Sequence, residues 1–401
     1  MANAFVRNTE LVRADEASET PGFVARNLKD PIKLTGVLIH GIAAEFTPAG
    51  QTTANIWRRM ATTSDSPIFH GIVENLARAI EHVAGEANSH VSISNANHVL
   101  LVIHKDNTAD LWVDGAAVAI QMISRRDMVA GSVVFQNDIA DVTGMWFPCV
   151  KFEPTDRVIY IFREAWRFGL FFDLTEELSV ESARRTLGSL YRNMRYSHLY
   201  DMLTRGEVFE RLISAGWFPF VEIINGEFSL LLNSCEAEAS LDSVEGELLA
   251  KFTPERIDQM LARWLRLPHF AQKEAILREA LEAFKANRPI TAIKLLLTEI
   301  EGILANAHRA ATGQPAGRRD LLKFAIASAE QKAGAPDTLL FSAAFARYLD
   351  GYTFANFDPL TDTGTAGSRH AVGHGAAQTD SYTQAHALQA ILTLDQLALY
   401  T

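Results

Sequence analysis

Short apolar runs separated by turn sequences dominate the first half of the chain. Six of these runs are rich in β-branched and aromatic residues and predict strands. They cover residues 98–105, 109–114, 116–123, 131–136, 157–164 and 167–174. A strand-like run over 33–47 and a predicted helix over 67–87 precede them. The pattern indicates an antiparallel sheet or a small barrel.

A single long helix is predicted for residues 175–203, because Thr175 is a suitable N-cap and two glutamates follow it in the first turn. Residues 216–235 combine a turn with an apolar strand or helix. The acidic stretch 236–247 is typical of a domain boundary.

Beyond residue 250 the apolar positions recur with helical spacing. Thr253 and Pro254 form a helix start, with a hydroxyl N-cap followed by proline at the first helical position. Four more helical stripes, a long polar loop and a last helix follow. The predicted fold class is therefore α+β, with a mixed α/β or β-rich domain over residues 1–245 and an all-α helical bundle over residues 246–401.

Charge separates the two halves further. The net charge is −11 over 401 residues, and the first 250 residues carry −12 while the remainder carries +1. This balance excludes a protein that coats nucleic acid by bulk positive charge, although a near-neutral domain can hold nucleic acid in a local cleft. The two cysteines have no metal-ligand spacing, and no signal peptide or membrane span is recognisable. We expect a cytoplasmic protein without a cofactor.

The polar loop before the last helix carries the candidate chemistry. It contains Arg369, His370 and His374, with Asp380 nearby. Histidine exchanges a proton near neutral pH, and arginine bridges phosphate oxygens with two parallel hydrogen bonds. In a helical turn, Arg369 and His374 would reach a common anion. Together they suit metal-free phosphodiester cleavage in which an RNA 2′-hydroxyl is the nucleophile.

An arginine followed by a histidine after four to six residues is not rare in this chain. With 27 arginines and 12 histidines in 401 residues, about 2.4 such matches arise by chance, and the chain holds three. They are Arg192 with His198, Arg263 with His269, and Arg369 with His374. The third is distinguished by its polar loop and by its place before the last helix of a bundle.

The third match also resembles a known family. The run SRHAVGHG has a polar residue directly after the arginine and glycine after the second histidine, and IKLLLTEIEGIL and TQAHALQAILTLDQL flank it. Over residues 251–401 the sequence resembles HEPN-domain ribonucleases of the Rx4–6H type.

The resemblance implies a helical bundle that forms a homodimer and places two motifs at one cleft. It also implies metal-independent RNA cleavage by Arg369 and His374, with a lesser role for His370, often in toxin or anti-phage systems. An antitoxin or a phage-derived trigger would fit such a system, and the sequence identifies neither.

Several alternatives remain open from the sequence. The same fold without catalysis would be a dimerisation or interaction module. A metal-dependent hydrolase would use His370 and His374 as zinc ligands with His386 or Asp380. RNA could also contact the basic and aromatic run on residues 184–196. Glu299 and Glu301 lie on the third predicted bundle helix, and the one that faces inward would orient Arg369 or His374.

Overall fold

The structure is a computed structural model that describes residues 26–43, 52–355 and 364–401. Its eight described strands are β1 (Ile32–Leu34), β2 (Arg59–Thr63), β3 (His98–Ile103), β4 (Ala109–Val113), β5 (Ala119–Ser124), β6 (Ile139–Trp146), β7 (Arg157–Glu164) and β8 (Arg167–Asp173). The fold is α+β, because an antiparallel sheet occupies the first half and helices make up most of the rest.

The described α-helices follow in chain order. They are α1 (Phe69–Glu86), α2 (Val180–Arg195), α3 (Ser197–Thr204), α4 (Gly206–Ser214), α5 (Glu227–Glu236), α6 (Asp242–Ala250), α7 (Pro254–Trp264), α8 (Pro268–Ala271), α9 (Glu274–Lys285), α10 (Pro289–Thr312), α11 (Arg318–Ala333), α12 (Ser342–Tyr348), α13 (Arg369–Gly373) and α14 (Gln384–Tyr400). A π-helical turn, Leu349–Thr353, continues α12.

The chain divides into two compact units. Unit 1 contains residues 1–121 and 142–197, and unit 2 contains residues 122–141 and 198–401. The predicted boundary at 245/246 falls instead inside α6 and within unit 2. The difference arises because residues 198–245 pack with the helices that follow them. These contacts join residues that are far apart in the chain, so the local composition does not predict them.

Unit 1 is built on a six-stranded antiparallel sheet in the order β1-β4-β3-β7-β8-β2. Alternate residues of β3 point to opposite faces: Val99 and Leu101 join the core that contains α1, and Leu100 and Val102 join the core that contains α2. Because helices cover both faces, the central strands read as nearly continuous apolar runs.

Helix α2 approaches the chain of β6 very closely. A Cβ atom on Gly188 would overlap the backbone of Gly144. Glycine at this point therefore permits a close contact between backbones that any larger residue would prevent.

Unit 2 surrounds its last helix. Thirteen residues of α14 are buried, and α6, α7, α9, α10 and α11 all contact it. Most of its buried residues are apolar, as expected for an enclosed helix, and the buried polar residues are Gln389, Thr393, Asp395 and Gln396. Segment 217–224, which is not helical, is also buried, and the Val221 N–H donates to Gln396 Oε1 on α14 at 2.9 Å.

Several sequence predictions are confirmed. Helix α1 lies within the predicted 67–87, and five of the six strand predictions match observed strands. The Thr253 side chain caps α7, where it accepts from the Arg256 N–H.

Other predictions are wrong. The run at 131–136 is a loop that exposes Val133, Val134 and Phe135, whereas the strand lies at 139–146. The long helix predicted for 175–203 is two helices, and the first is capped by Ser179 rather than Thr175. Of the strand expected over 33–47, only Lys33 and Leu34 belong to β1, and residues 44–47 lie outside the described residues.

None of the described helices combines the length and the apolar character that are needed to cross a bilayer.

Candidate active site

The Rx4H motif forms one short helix and its end. The Ser368 hydroxyl caps α13 by accepting from the Ala371 N–H at 3.4 Å. Arg369 is the first residue of the helix, and the His374 N–H, directly after it, donates to the His370 carbonyl at 3.0 Å. The chain then reverses through Gly375, whose φ is +69°. The sequence predicted a loop here and considered a helical turn from Arg369 to His374 only as a condition; the structure has a short helix over Arg369–Gly373.

Contacts within unit 2 hold helix α13 in position. Ala371 and Val372 are buried, and α13 contacts α10. A Cβ atom on Gly367, two residues before Arg369, would overlap the Tyr352 ring and hydroxyl. The same hydroxyl donates to Gln389 Oε1 on α14 at 2.5 Å. The close contact between Gly367 and Tyr352 thereby fixes the position at which the motif begins. Tyr352 lies on a π-helical turn, a feature that recurs at functional sites.

Arg369 is held at the surface by a carboxylate. Its Nη2 lies 2.7 Å from Glu301 Oε2, and about a third of each side chain is exposed. Its Nε is buried without a hydrogen-bond partner among the described residues. Glu299, in contrast, is buried and pairs with Lys273 at 2.8 Å. The expectation that the inward-facing glutamate would orient Arg369 or His374 is therefore wrong, because the half-buried Glu301 contacts Arg369 instead.

The two motif histidines differ in exposure. His374 is exposed and His370 is half-buried. Burial lowers the pKa of His370, the charges of Arg369, Arg318 and His374 lower it further, and Glu301 opposes them. His370 is therefore mainly neutral at pH 7, while His374 faces solvent at the end of the same helical turn.

The zinc alternative gains no support from the geometry. His386 is the third residue after the N-cap Thr383, and its Nδ1 lies 2.7 Å from the Ser381 carbonyl oxygen. Burial lowers its pKa. Within residues 26–43, 52–355 and 364–401, no three His, Cys, Asp or Glu side chains are placed to hold a metal ion.

The basic run on α2 is largely occupied within unit 1. Arg184 and Arg185 pair with Glu181, and Arg195 pairs with Glu164. Arg192 is buried and donates to the Val142 carbonyl at 2.5 Å. These contacts favour a structural role for this run over RNA binding.

A second polar centre in unit 2 was not foreseen in the sequence. The Glu222 carboxylate is buried in segment 217–224, and three guanidinium groups contact it, from Arg125, Arg256 and Arg263. Together they hold the pKa of Glu222 below its usual value despite the cost of burial. Arg256 and Arg263 lie on α7, but Arg125 and Glu222 are far from them in sequence, so no local motif could indicate this cluster.

A cavity of about 650 Å³ adjoins Glu222 and also contacts Arg126 and Arg266. Arg126 pairs with Asp138 and Arg266 pairs with Asp127. Each lining arginine already has an acidic partner within unit 2, so the cluster is best explained as an internal ionic network in which the buried carboxylate is paired.

No protein-family model, curated protein or solved structure matches this chain.

Proposed function

We propose that the protein is a metal-independent endoribonuclease of the HEPN type, with Arg369 and His374 as its catalytic residues. The observation that carries the proposal is their placement at the two ends of one helical turn, where both reach solvent. Glu301 fixes the direction of Arg369, and a positioned cation is what a phosphorane-like transition state requires.

In the proposed reaction, the 2′-hydroxyl of a ribose attacks the adjacent phosphorus atom. Because the nucleophile is tethered beside its target, part of the barrier is already removed by proximity. His374 exchanges the proton with the reacting oxygens, and Arg369 stabilises the negative charge that develops on the phosphoryl oxygens. The 5′-oxygen leaves with a proton, so the products carry 2′,3′-cyclic phosphate and 5′-hydroxyl ends.

His370 is assigned a lesser role in this proposal. It lies between the two catalytic residues and under the influence of both, so it would orient the phosphate or the second motif of a dimer. The family resemblance suggests a homodimer built through unit 2 and a place in toxin or anti-phage defence.

The decisive experiment incubates the purified full chain with labelled RNA in EDTA. Cleavage that resists EDTA and disappears in Arg369→Ala and His374→Ala supports the proposal, and Arg319→Ala and His82→Ala serve as exposed controls. Cleavage that EDTA abolishes indicates a metal-dependent hydrolase. A complete lack of cleavage favours the interaction module.

A single 2′-deoxy substitution at the cleavage site separates this mechanism from direct hydrolysis. The substituted strand lacks the nucleophile and should be inert, as should DNA. Equal cleavage of both strands contradicts the mechanism even when the two variants are inactive.

The dimer is tested by light scattering at micromolar concentration. A monomer that retains ribonuclease activity would show that one motif is sufficient and that no homodimer is needed.

A further inference from the structure

One face of helix α10 extends from the candidate active site to a second pair of polar and aromatic side chains. Lys294 and Glu301 are seven residues apart on α10, so they share a face of the helix and lie about 10 Å apart along its axis. Lys294 and Thr298 are exposed, and Glu301, which lies 2.7 Å from Arg369 Nη2, is half-buried. This face is therefore accessible to solvent from Lys294 to the guanidinium of Arg369.

Tyr382 lies next to Lys294 at this surface. The Lys294 Nζ atom is 5.8 Å from the centre of the Tyr382 ring. Two connections hold the tyrosine in place: the preceding Ser381 Oγ accepts from the Ala366 N–H at 2.9 Å, and the following Thr383 caps α14. Because Ala366 belongs to the segment that leads into α13, the same stretch of chain positions both the Rx4H motif and this ring.

The fold uses neither side chain in an ion pair or a hydrogen bond. Among the described residues, no carboxylate pairs with Lys294, and the Tyr382 hydroxyl has no hydrogen-bond partner. Atoms in van der Waals contact are roughly 3.5–4.0 Å apart, so the ammonium group at 5.8 Å does not cover the ring. The ring is half-buried and part of it faces solvent. An exposed cation beside an accessible ring suits a ligand that carries both a phosphate and a flat base.

We propose that Tyr382 and Lys294 form a nucleotide subsite next to the scissile phosphate, in which an RNA base stacks on Tyr382 and a phosphate contacts Lys294. This inference rests on the proposed function, because it takes Arg369 as the group that binds the scissile phosphate. Proteins that bind single strands combine cations along the backbone with aromatic rings for the bases. A base in a duplex is already stacked and paired, so the substrate class is single-stranded RNA, with little preference for its sequence.

The stacking is tested by binding to a short single-stranded RNA whose riboses all carry 2′-O-methyl groups and cannot be cleaved. Tyr382→Ala should weaken binding by about 5–150-fold, the loss expected for one stacked base. Tyr382→Phe keeps the ring and should keep the affinity. Phe135→Ala, which removes an aromatic side chain that is 64% exposed, is the matched control and should bind as the unchanged protein does. Equal affinities for Tyr382→Ala and the unchanged protein overturn the stacking.

The phosphate contact is tested by the salt dependence of the same binding between about 50 and 200 mM salt. Lys294→Gln should lower the slope of log affinity against log salt by about 0.7, the contribution of one phosphate contact on a single strand. Lys294→Arg should preserve the slope. Lys323→Gln, an exposed lysine on α11 that pairs with Asp320, is the control and should also preserve it. Equal slopes for Lys294→Gln and the unchanged protein overturn the contact, and circular dichroism shows whether each variant is folded.

A change in the RNA separates stacking from a structural role of Tyr382. An otherwise 2′-O-methylated strand with one unmodified ribose can be cleaved only there, which fixes the register of the strand on the protein. An abasic nucleotide is then placed at each neighbouring position in turn. One position should reduce cleavage by the unchanged protein, and Tyr382→Ala should be insensitive to that change.

The two proposals fail in different ways in this experiment. If the unchanged protein cleaves the strand and no neighbouring base matters, the subsite is absent while the proposed function stands. If the unchanged protein cleaves no RNA, the proposed function fails, and the affinities and salt slopes alone decide whether Tyr382 and Lys294 bind a nucleotide.

Discussion

Two arginine–histidine pairs in unit 2 share nearly the same spacing and differ in their surroundings. Arg263 and His269, the interior pair, are half-buried and contact partners within unit 2, whereas in the surface pair Arg369 is half-buried and His374 is exposed. The comparison teaches that an Rx4–6H spacing becomes a candidate site only where the fold leaves both side chains accessible.

The interior pair is fully engaged with the protein. Arg263 Nη2 lies 2.7 Å from Glu222 Oε2 and 3.0 Å from Asp395 Oδ1, and His269 Nε2 lies 2.7 Å from Thr401 Oγ1. Burial, assisted by the charge of Lys332, lowers the pKa of His269 to about 4. A histidine that is neutral over most of the physiological range, beside an arginine that is neutralised by two carboxylates, is poorly suited to phosphoryl chemistry.

The side chains of the surface pair, Arg369 and His374, remain accessible from solvent. In the part of the chain that the structure describes, Arg369 pairs with Glu301, and His374 is exposed. The carboxylate orients the guanidinium without enclosing it.

The largest effect should fall on RNA cleavage. Arg369→Ala and His374→Ala should each lower the single-turnover rate by at least about 10²-fold, because one removes charge stabilisation and the other removes proton transfer. His269→Ala should change the rate by less than about tenfold if it folds, since loss of a buried structural histidine affects the site only indirectly. Equal losses of the cleavage rate in all three variants would contradict the difference that we infer between the two pairs.

For the free energy of unfolding, we expect the larger loss from a variant of the interior pair and the smaller loss from a variant of the surface pair. Arg263→Ala leaves Glu222 and Asp395 with one fewer partner inside the protein, and we expect a loss of about 3–5 kcal/mol in the free energy of unfolding. Arg369→Ala breaks a partly exposed ion pair and should cost less than about 1 kcal/mol. Urea unfolding, followed by circular dichroism at 222 nm, measures both; similar midpoints for the two variants would contradict the assignment.

Lowering the pH should reduce the stability of the protein through His269. His269 has a pKa of about 4 in the folded protein and about 6.5 when unfolded, so the unfolded state binds more protons between these values. Its contribution to stability is therefore complete above pH 6.5 and is lost as the pH falls towards 4. His269→Gln should flatten the dependence of the urea midpoint on pH in this window, and we expect a smaller effect from His370→Gln in the short surface helix α13. If the urea midpoint depends on pH equally in both variants, His269 is not the group that causes the loss of stability in acid.

The smallest change tests how the surface pair is positioned. Gly367→Ala forces a methyl group against Tyr352 and should shift α13, which lowers cleavage while the helical content is retained. Gly373→Ala meets open space and is the matched control. Tyr352→Phe removes only the hydrogen bond to Gln389 and should have a milder effect. Full activity in Gly367→Ala would show that Tyr352 does not set the position of the motif.

Local sequence signals predicted the elements well where one short-range force dominates. Thr253 and Pro254 begin a helix as expected, and the apolar run of β3 is a strand because it is covered on both faces. The prediction failed at 131–136, where valine and phenylalanine are exposed in a loop, and at 139–146, where polar residues interrupt the strand pattern. Exposure depends on the rest of the fold, and a window of six residues cannot report it.

By itself, the sequence determined the α+β class and most helices and strands, but it predicted a loop where Arg369 begins a short helix. Only the tertiary structure decided which arginine–histidine pair faces solvent and that Glu301 rather than Glu299 contacts Arg369. Backbone propensity and side-chain periodicity act over a few residues and can be recognised in the chain. Burial and ion pairing join residues that are far apart in sequence, and these long-range contacts decided the environment of each charged group.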